Sequence, residues 1–265
     1  MGTITTLMEP DMNTSRRLFA LGLLAAAAAS ATGTAGAWSW SMVGERVTGN
    51  GDITTEARTP GTFDGIAVSG GFNVIVRQGS GHKVEVKADR NLLTVIETRV
   101  VEGSKGRTLQ IEPKKGVNLQ TSTPPSFVIE LPSLRAVSVA GSGTVNVEPM
   151  KADGVDAAIA GSGDIRFAKL EADKLSMKVS GSGDIVAMGR CANASVSIAG
   201  SGDVKAAELV AEEVKVSIAG SGDAAVNATR KLNVSIAGSG DVKYAGSPQI
   251  SSSIAGSGKV RRIGE

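Results

Sequence analysis

Five aspartates recur in one setting. Asp164, Asp184, Asp203, Asp223 and Asp241 each follow directly on a Gly-Ser-Gly tripeptide. A row of carboxylates can hold a hard cation such as calcium, which takes carboxylate and carbonyl oxygen. It can also be a structural ladder, neutralised by turn amides and neighbouring cations. At a strand spacing of about 4.8 Å, adjacent carboxylates repel by about 3.5 kcal/mol at an effective dielectric of 20, and by under about 1 kcal/mol in water. Two residues after three of them stand Arg166, Lys205 and Lys243, on the same face of an extended chain. Cations beside anions favour the ladder. The Gly-Gly-x-Gly-x-Asp calcium nonapeptide is matched neither in sequence nor in period. The five aspartates stand as calcium candidates, with no metal or cofactor assigned.

Other chemistry is sparse. His82, the sole histidine, sits in a Gly-Ser-Gly-His-Lys turn and reads as a solvent-exposed loop residue. It leaves no His-rich zinc site, and any Ser-His-Asp triad would rest on it alone. Cys191 is the single cysteine, which excludes an intrachain disulfide; its small-residue surroundings read as minor core. Glu212-Glu213 read as ordinary solvated charges. Eight aromatic residues are too few to suggest a stacking platform for sugars or bases, and no catalytic residue is assigned.

What positions the aspartates is a repeat. Gly-Ser-Gly begins at Gly141, Gly161, Gly181, Gly200, Gly220, Gly238 and Gly256, at intervals of 18 to 20 residues. Ahead of each turn the pattern has period two: Val196 and Ile198, Val216 and Ile218, Val234 and Ile236 point one way. Between them small residues form two outward rows, Ser197, Ser217, Ser235 and Ser253 beside Ala199, Ala219, Ala237 and Ala255. No segment shows helical periodicity, and a propeller blade needs about 40 residues. The reading is all-β: a single-chain parallel β-helix with about 18–20 residues per rung. A β-sandwich with coincidental spacing is the alternative. Both glycines of each turn are expected to accept φ > 0. At the series ends Thr144 and Lys259 replace aspartate. Lys259, Arg261 and Arg262 read as protection of the exposed last rung.

Residues 136–262 form the regular part; 61–135 read as irregular opening rungs, or a separate small β-domain. Residues 38–60, with Gly44, Gly49 and Gly51, read as a linker. Residues 1–37 read as an export signal: Ser15-Arg16-Arg17-Leu18-Phe19, an alanine-rich run, then Ala35-Gly36-Ala37. Its order is twin-arginine-like, though the usual later Leu-Lys is missing and Sec export stays open. The net charge of +2 gives no driving force towards nucleic acid or anionic membranes.

The opening Phe63-Asp64-Gly65-Ile66-Ala67-Val68-Ser69-Gly70 is followed by Val74-Ile75-Val76-Arg77-Gln78-Gly79, Val84-Glu85-Val86, Leu109-Gln110-Ile111 and the Gly-Ser-Gly-Asp turns. With these, residues 60–262 resemble the bacterial exported proteins grouped as auto-transporter adhesin, head GIN domain proteins. The resemblance implies an exported β-helix with an adhesion role and carries no catalytic motif. The expected function is a non-enzymatic scaffold in the periplasm or at the cell surface. Its expected partner is an envelope protein or glycan surface, with self-association as a further possibility. The alternatives are a carbohydrate-active β-helix enzyme and a calcium-dependent surface module.

Overall fold

The computed structural model describes residues 44–103 and 106–263. The leader assigned to 1–37, and residues 38–43, lie outside them. Segments such as Val216-Ser217-Ile218 alternate branched inward residues with small outward ones, a pattern that suits a pleated, half-buried strand.

The first part of the chain supplies β1 (Glu45–Thr48), β2 (Ile53–Arg58), β3 (Gly65–Ser69), β4 (Asn73–Gln78), β5 (Lys83–Asp89), α1 (Arg90–Leu93), β6 (Ile96–Gly103), β7 (Gly106–Pro113), β8 (Val117–Gln120) and β9 (Ser126–Leu131). The regular part follows with β10 (Ala136–Gly141), β11 (Thr144–Val147), β12 (Met150–Gly161), β13 (Asp164–Gly181), β14 (Ile185–Gly200), β15 (Val204–Gly220), β16 (Ala224–Gly238), β17 (Val242–Ala245), β18 (Gln249–Gly256) and β19 (Val260–Arg262).

These strands make a β-solenoid of about six stacked turns. From β10 onward every pairing is parallel and joins one coil to the next. Val139, Ile159, Val179, Ile198, Ile218 and Ile236 form one inward column in strict register. Each is at most 2% exposed, and each such burial contributes about 1.5–3 kcal/mol. The unequal coil lengths are absorbed at a corner. Between β15 and β16 the register slips at Ala206/Val210 and again at Ala211/Glu213, while Val216, Ile218 and Gly220 keep their partners.

The two glycines of each turn share one reason to be there, and the first has a second. Gly220 has φ +136°, as expected. Gly222 does not have positive φ, which corrects the expectation that both would. A Cβ on Gly222 would instead run into the carbonyl oxygen of Gly202 and the side chain of Ile198. A Cβ on Gly220 would likewise meet the Gly200 carbonyl, so both glycines let successive coils approach and the first alone also turns the chain.

Residues 61–135 join the same ladder, but their stacking order differs from their chain order. β3 pairs in parallel with β10 on one edge and β7 on the other. β4 likewise lies between β11 and β9. Beyond β7 and β9 the direction reverses: β6 is antiparallel to β7, β5 to β9, and β2 to β5. The short helix α1 links β5 to β6 and buries Leu92 and Leu93 in the core. These elements form the N-terminal end of the stack.

The linker expected over 38–60 needs correction, since β1 and β2 both fall within it. β1 pairs with β8 in a separate two-stranded sheet. β2 is anchored by Arg58, which donates to the carbonyl oxygens of Leu93 and Ile96 at 2.8 and 2.7 Å. The buried Asp89 carboxylate fastens the chain between the two strands by accepting the Gly51 N–H at 2.6 Å. Polar, glycine-bearing sequence is here held by long-range hydrogen bonds, which composition does not reveal.

Candidate functional site

Parallel stacking brings the five aspartates into one row. Each Oδ1 accepts the backbone N–H of the residue one coil further on. Asp164 accepts from Asp184 at 3.4 Å, Asp184 from Asp203 at 3.2 Å, and Asp203 from Asp223 at 2.9 Å. Asp223 accepts from Asp241 at 2.7 Å, and Asp241 from Lys259 at 2.8 Å. The adjacent amides run the opposite way: Ile185 donates to the Asp203 carbonyl and Val204 to that of Asp223, at 2.9 and 3.0 Å. The side chain therefore substitutes for a carbonyl where the turn interrupts the regular ladder. Lys259 donates the last of these bonds and has no carboxylate to extend the series.

The second oxygens meet cations in part. Arg166 reaches Asp164 Oδ2 at 3.1 Å within one coil, and Lys205 reaches Asp184 Oδ2 at 2.6 Å across two. The hydrogen bond from Asp184 holds the Lys205 ammonium above its usual pKa, with Asp203 and Asp164 adding to the effect. Lys243, expected to complete the cation row, forms no ion pair among the described residues. Among these residues no group of three or more His, Cys, Asp or Glu side chains converges to hold a metal ion. A cation bound along the row would have to compete with backbone amides for every Oδ1.

His82 differs from its expected exposed state. It is half-buried, its Nε2 donates to the Phe63 carbonyl at 2.9 Å, and its ring meets Phe63 edge-on at 5.0 Å. An aromatic neighbour 19 positions earlier supplies the shelter. Cys191 is buried, and burial pushes its thiol up to about 11, which leaves it an unreactive neutral group at neutral pH. Glu212 and Glu213 both face Arg230, at 3.8 and 2.7 Å.

A feature that motif reading missed is an open groove of about 550 Å³ running across the coils from β12 to β16. Its floor is the inward column Val155, Leu175, Ala194 and Val214, in register from strand to strand. One wall carries Lys174, Asn193 and Glu213; the other carries Asp156, Ser176, Ser195, Lys215 and Asn233. Lys174, Asn193, Lys215 and Asn233 make no side-chain hydrogen bond or ion pair among the described residues. Arg135 stands at the β10 end, held by two 3.0 Å bonds to Asp64. The signal was present in the repeat, since these positions fall in register. They vary in residue type, however, and so never appear as a motif. The two small-residue rows form outward columns on the same strands, Ser197 over Ser217 and Ala199 over Ala219.

A family model described as "Putative auto-transporter adhesin, head GIN domain" matches residues 62–248. Among solved structures, one from Parabacteroides distasonis named a "putative lipid binding protein" is similar at 31% identity and a TM-score of 0.68. It covers 83% of this chain and 100% of its own. A "putative adhesin" from Bacteroides fragilis is 25% identical with a TM-score of 0.73, covering 82% of this chain and 100% of its own. No curated protein matches the chain. No helix among the described residues is long and apolar enough to cross a membrane.

Proposed function

Since the chain belongs to the family of auto-transporter adhesin, head GIN domain proteins, we propose that it is an exported, non-enzymatic scaffold of the bacterial envelope. Its task is adhesion: it meets an envelope protein or glycan surface along the groove over β12–β16. The observation that carries this reading is the contrast between two rows of polar residues. The turn aspartates are committed to the coil ladder, whereas Lys174, Asn193, Lys215 and Asn233 line a groove with their donors and acceptors unspent. Unspent polar groups on a rigid stack are what a recognition surface offers, because little ordering entropy is lost when a partner docks. Residues 1–37 supply the route out of the cytoplasm as an export signal.

Immobilised protein tests this against isolated cell-wall glycan, outer-membrane protein fractions and phospholipid vesicles. The vesicle arm covers the name carried by the Parabacteroides relative. Replacing Lys174 and Lys215 together by Ala is expected to weaken capture about tenfold, the loss of about 1.4 kcal/mol. Lys243→Ala, on another face, should change nothing. Equal capture by all three proteins rejects the groove, and turnover of the glycan replaces a scaffold with an enzyme.

A further inference from the structure

The two ends of the stack are built differently. At the N-terminal end the outermost strands β2 and β6, paired among the described residues only with β5 and β7, carry Glu56, Arg58, Glu97, Arg99 and Glu102, charges that discourage further pairing. At the C-terminal end β18 pairs with β16 along one edge, and no described residue pairs with its other edge. Ile250 and Ile254 occupy the inward columns of Leu232 and Ile236. Their covered predecessors are 0% and 2% exposed, whereas Ile250 and Ile254 are 40% and 42% exposed. An uncharged edge strand with exposed apolar residues is a template for another strand. Lys259, Arg261 and Arg262 guard β19 only; β18 has no charged residue.

The sequence of β18 says which strand fits. Ile250-Ser251-Ser252-Ser253-Ile254 reads the same in both directions, unlike Leu232-Asn233-Val234-Ser235-Ile236 one coil before. Antiparallel pairing with a copy reverses one strand, and inward residues must then oppose inward residues. A twofold axis through Ser252 meets both conditions. It sets Ile250 opposite the second copy's Ile254 and Ser251 opposite Ser253, with Ser252 meeting itself. A twofold also sets any charge near the axis against its own copy, and β18 has none to repel.

We infer that two copies of this chain associate tail to tail, β18 against β18, about a twofold through Ser252. A twofold contact uses each β18 edge once, and the charges of β2 and β6 discourage growth at the other end, giving a closed dimer instead of a filament. With one strand pair and the half-exposed Ile250 and Ile254 to bury, the dimer is weak, with a Kd in the micromolar range, about −8 kcal/mol.

Sedimentation of the full-length protein from about 1 µM to about 1 mM, a span that brackets micromolar affinity, tests it. The mass should rise towards twice the monomer. Ile254→Lys should abolish the rise while far-UV circular dichroism stays unchanged. In a Cys191→Ala background, Ser252→Cys should cross-link under added oxidant. Cα atoms about 4.5–5.5 Å apart across an antiparallel pair suit a disulfide. Ser253→Cys, which meets Ser251 and not itself, should cross-link far less. A monomer at every concentration overturns the inference. So does a dimer indifferent to Ile254→Lys, or one in which Ser252→Cys stays reduced.

Discussion

The Asp203 carboxylate accepts the backbone N–H of Asp223 at 2.9 Å, one coil away. An acidic side chain here does the work of a peptide carbonyl. The charge is incidental to that work, while the oxygen is required.

Asp203→Ala should therefore cost about 1–2 kcal/mol, the loss of a hydrogen bond with an amide left short of a partner. For a chain of this size that lowers Tm by about 3–6 °C. Asp203→Asn keeps an oxygen in place and relieves repulsion from Asp184 and Asp223, so its loss should be clearly smaller. Thermal melts followed by circular dichroism distinguish the two; equal losses would reject the ladder account. Calcium should leave the parent midpoint unchanged, since a cation that binds only the native state raises it.

Gly220→Ala and Gly222→Ala should both be severely destabilising, by about 3 kcal/mol or more. The first forces a side chain into φ +136° and against the Gly200 carbonyl. The second drives a methyl group into Gly202 and Ile198 at an ordinary backbone angle. Ala219→Ser, on the exposed neighbour, should stay within about 0.5 kcal/mol. Denaturant midpoints of the three proteins give the comparison.

The Arg135 pair gives a pH dependence. Its hydrogen bonds hold the Asp64 carboxyl below the usual carboxylate range, outweighing the upward effect of burial. A lowered folded pKa stabilises the native state above the unfolded value of about 3.9. That contribution fades as pH falls through the folded value. Asp64 is 43% exposed, so solvent screening limits the pair to about 0.5–1 kcal/mol. Arg135→Gln should lose that much at pH 7 and nothing near pH 2, as read from denaturant midpoints. A gap that persists in acid would mean that Arg135 acts through packing.

The shaft was legible because Val216, Ile218 and Gly220 recur at one spacing, and each recurrence reports the same local physics. The closing elements were not. β2 reads Ile-Thr-Thr-Glu-Ala-Arg with little alternation, and its partner β5 begins 25 residues after β2 ends. Nothing local encodes such a pairing. The turn aspartates were visible as a motif, and their amide acceptors follow from the stacking. The groove stayed hidden because its wall positions, such as Lys174, Asn193 and Glu213, keep a constant place seven residues before each turn but differ in residue type.

Interleaving β3 and β4 between later segments has a consequence for the order of assembly. Gly65 pairs with Thr108 on one side and Ala136 on the other, spans of 43 and 71 residues. The regular coils close over 18 to 20. Loop closure grows only slowly with length, about 0.6 kcal/mol per doubling, so the penalty on final stability is modest. Contacts distant in sequence are nevertheless slow to find. A chain synthesised from its N-terminus displays residues 65–78 before either flanking segment exists. The oldest stretch of the rod waits for its younger neighbours and is fitted between them once they have been made.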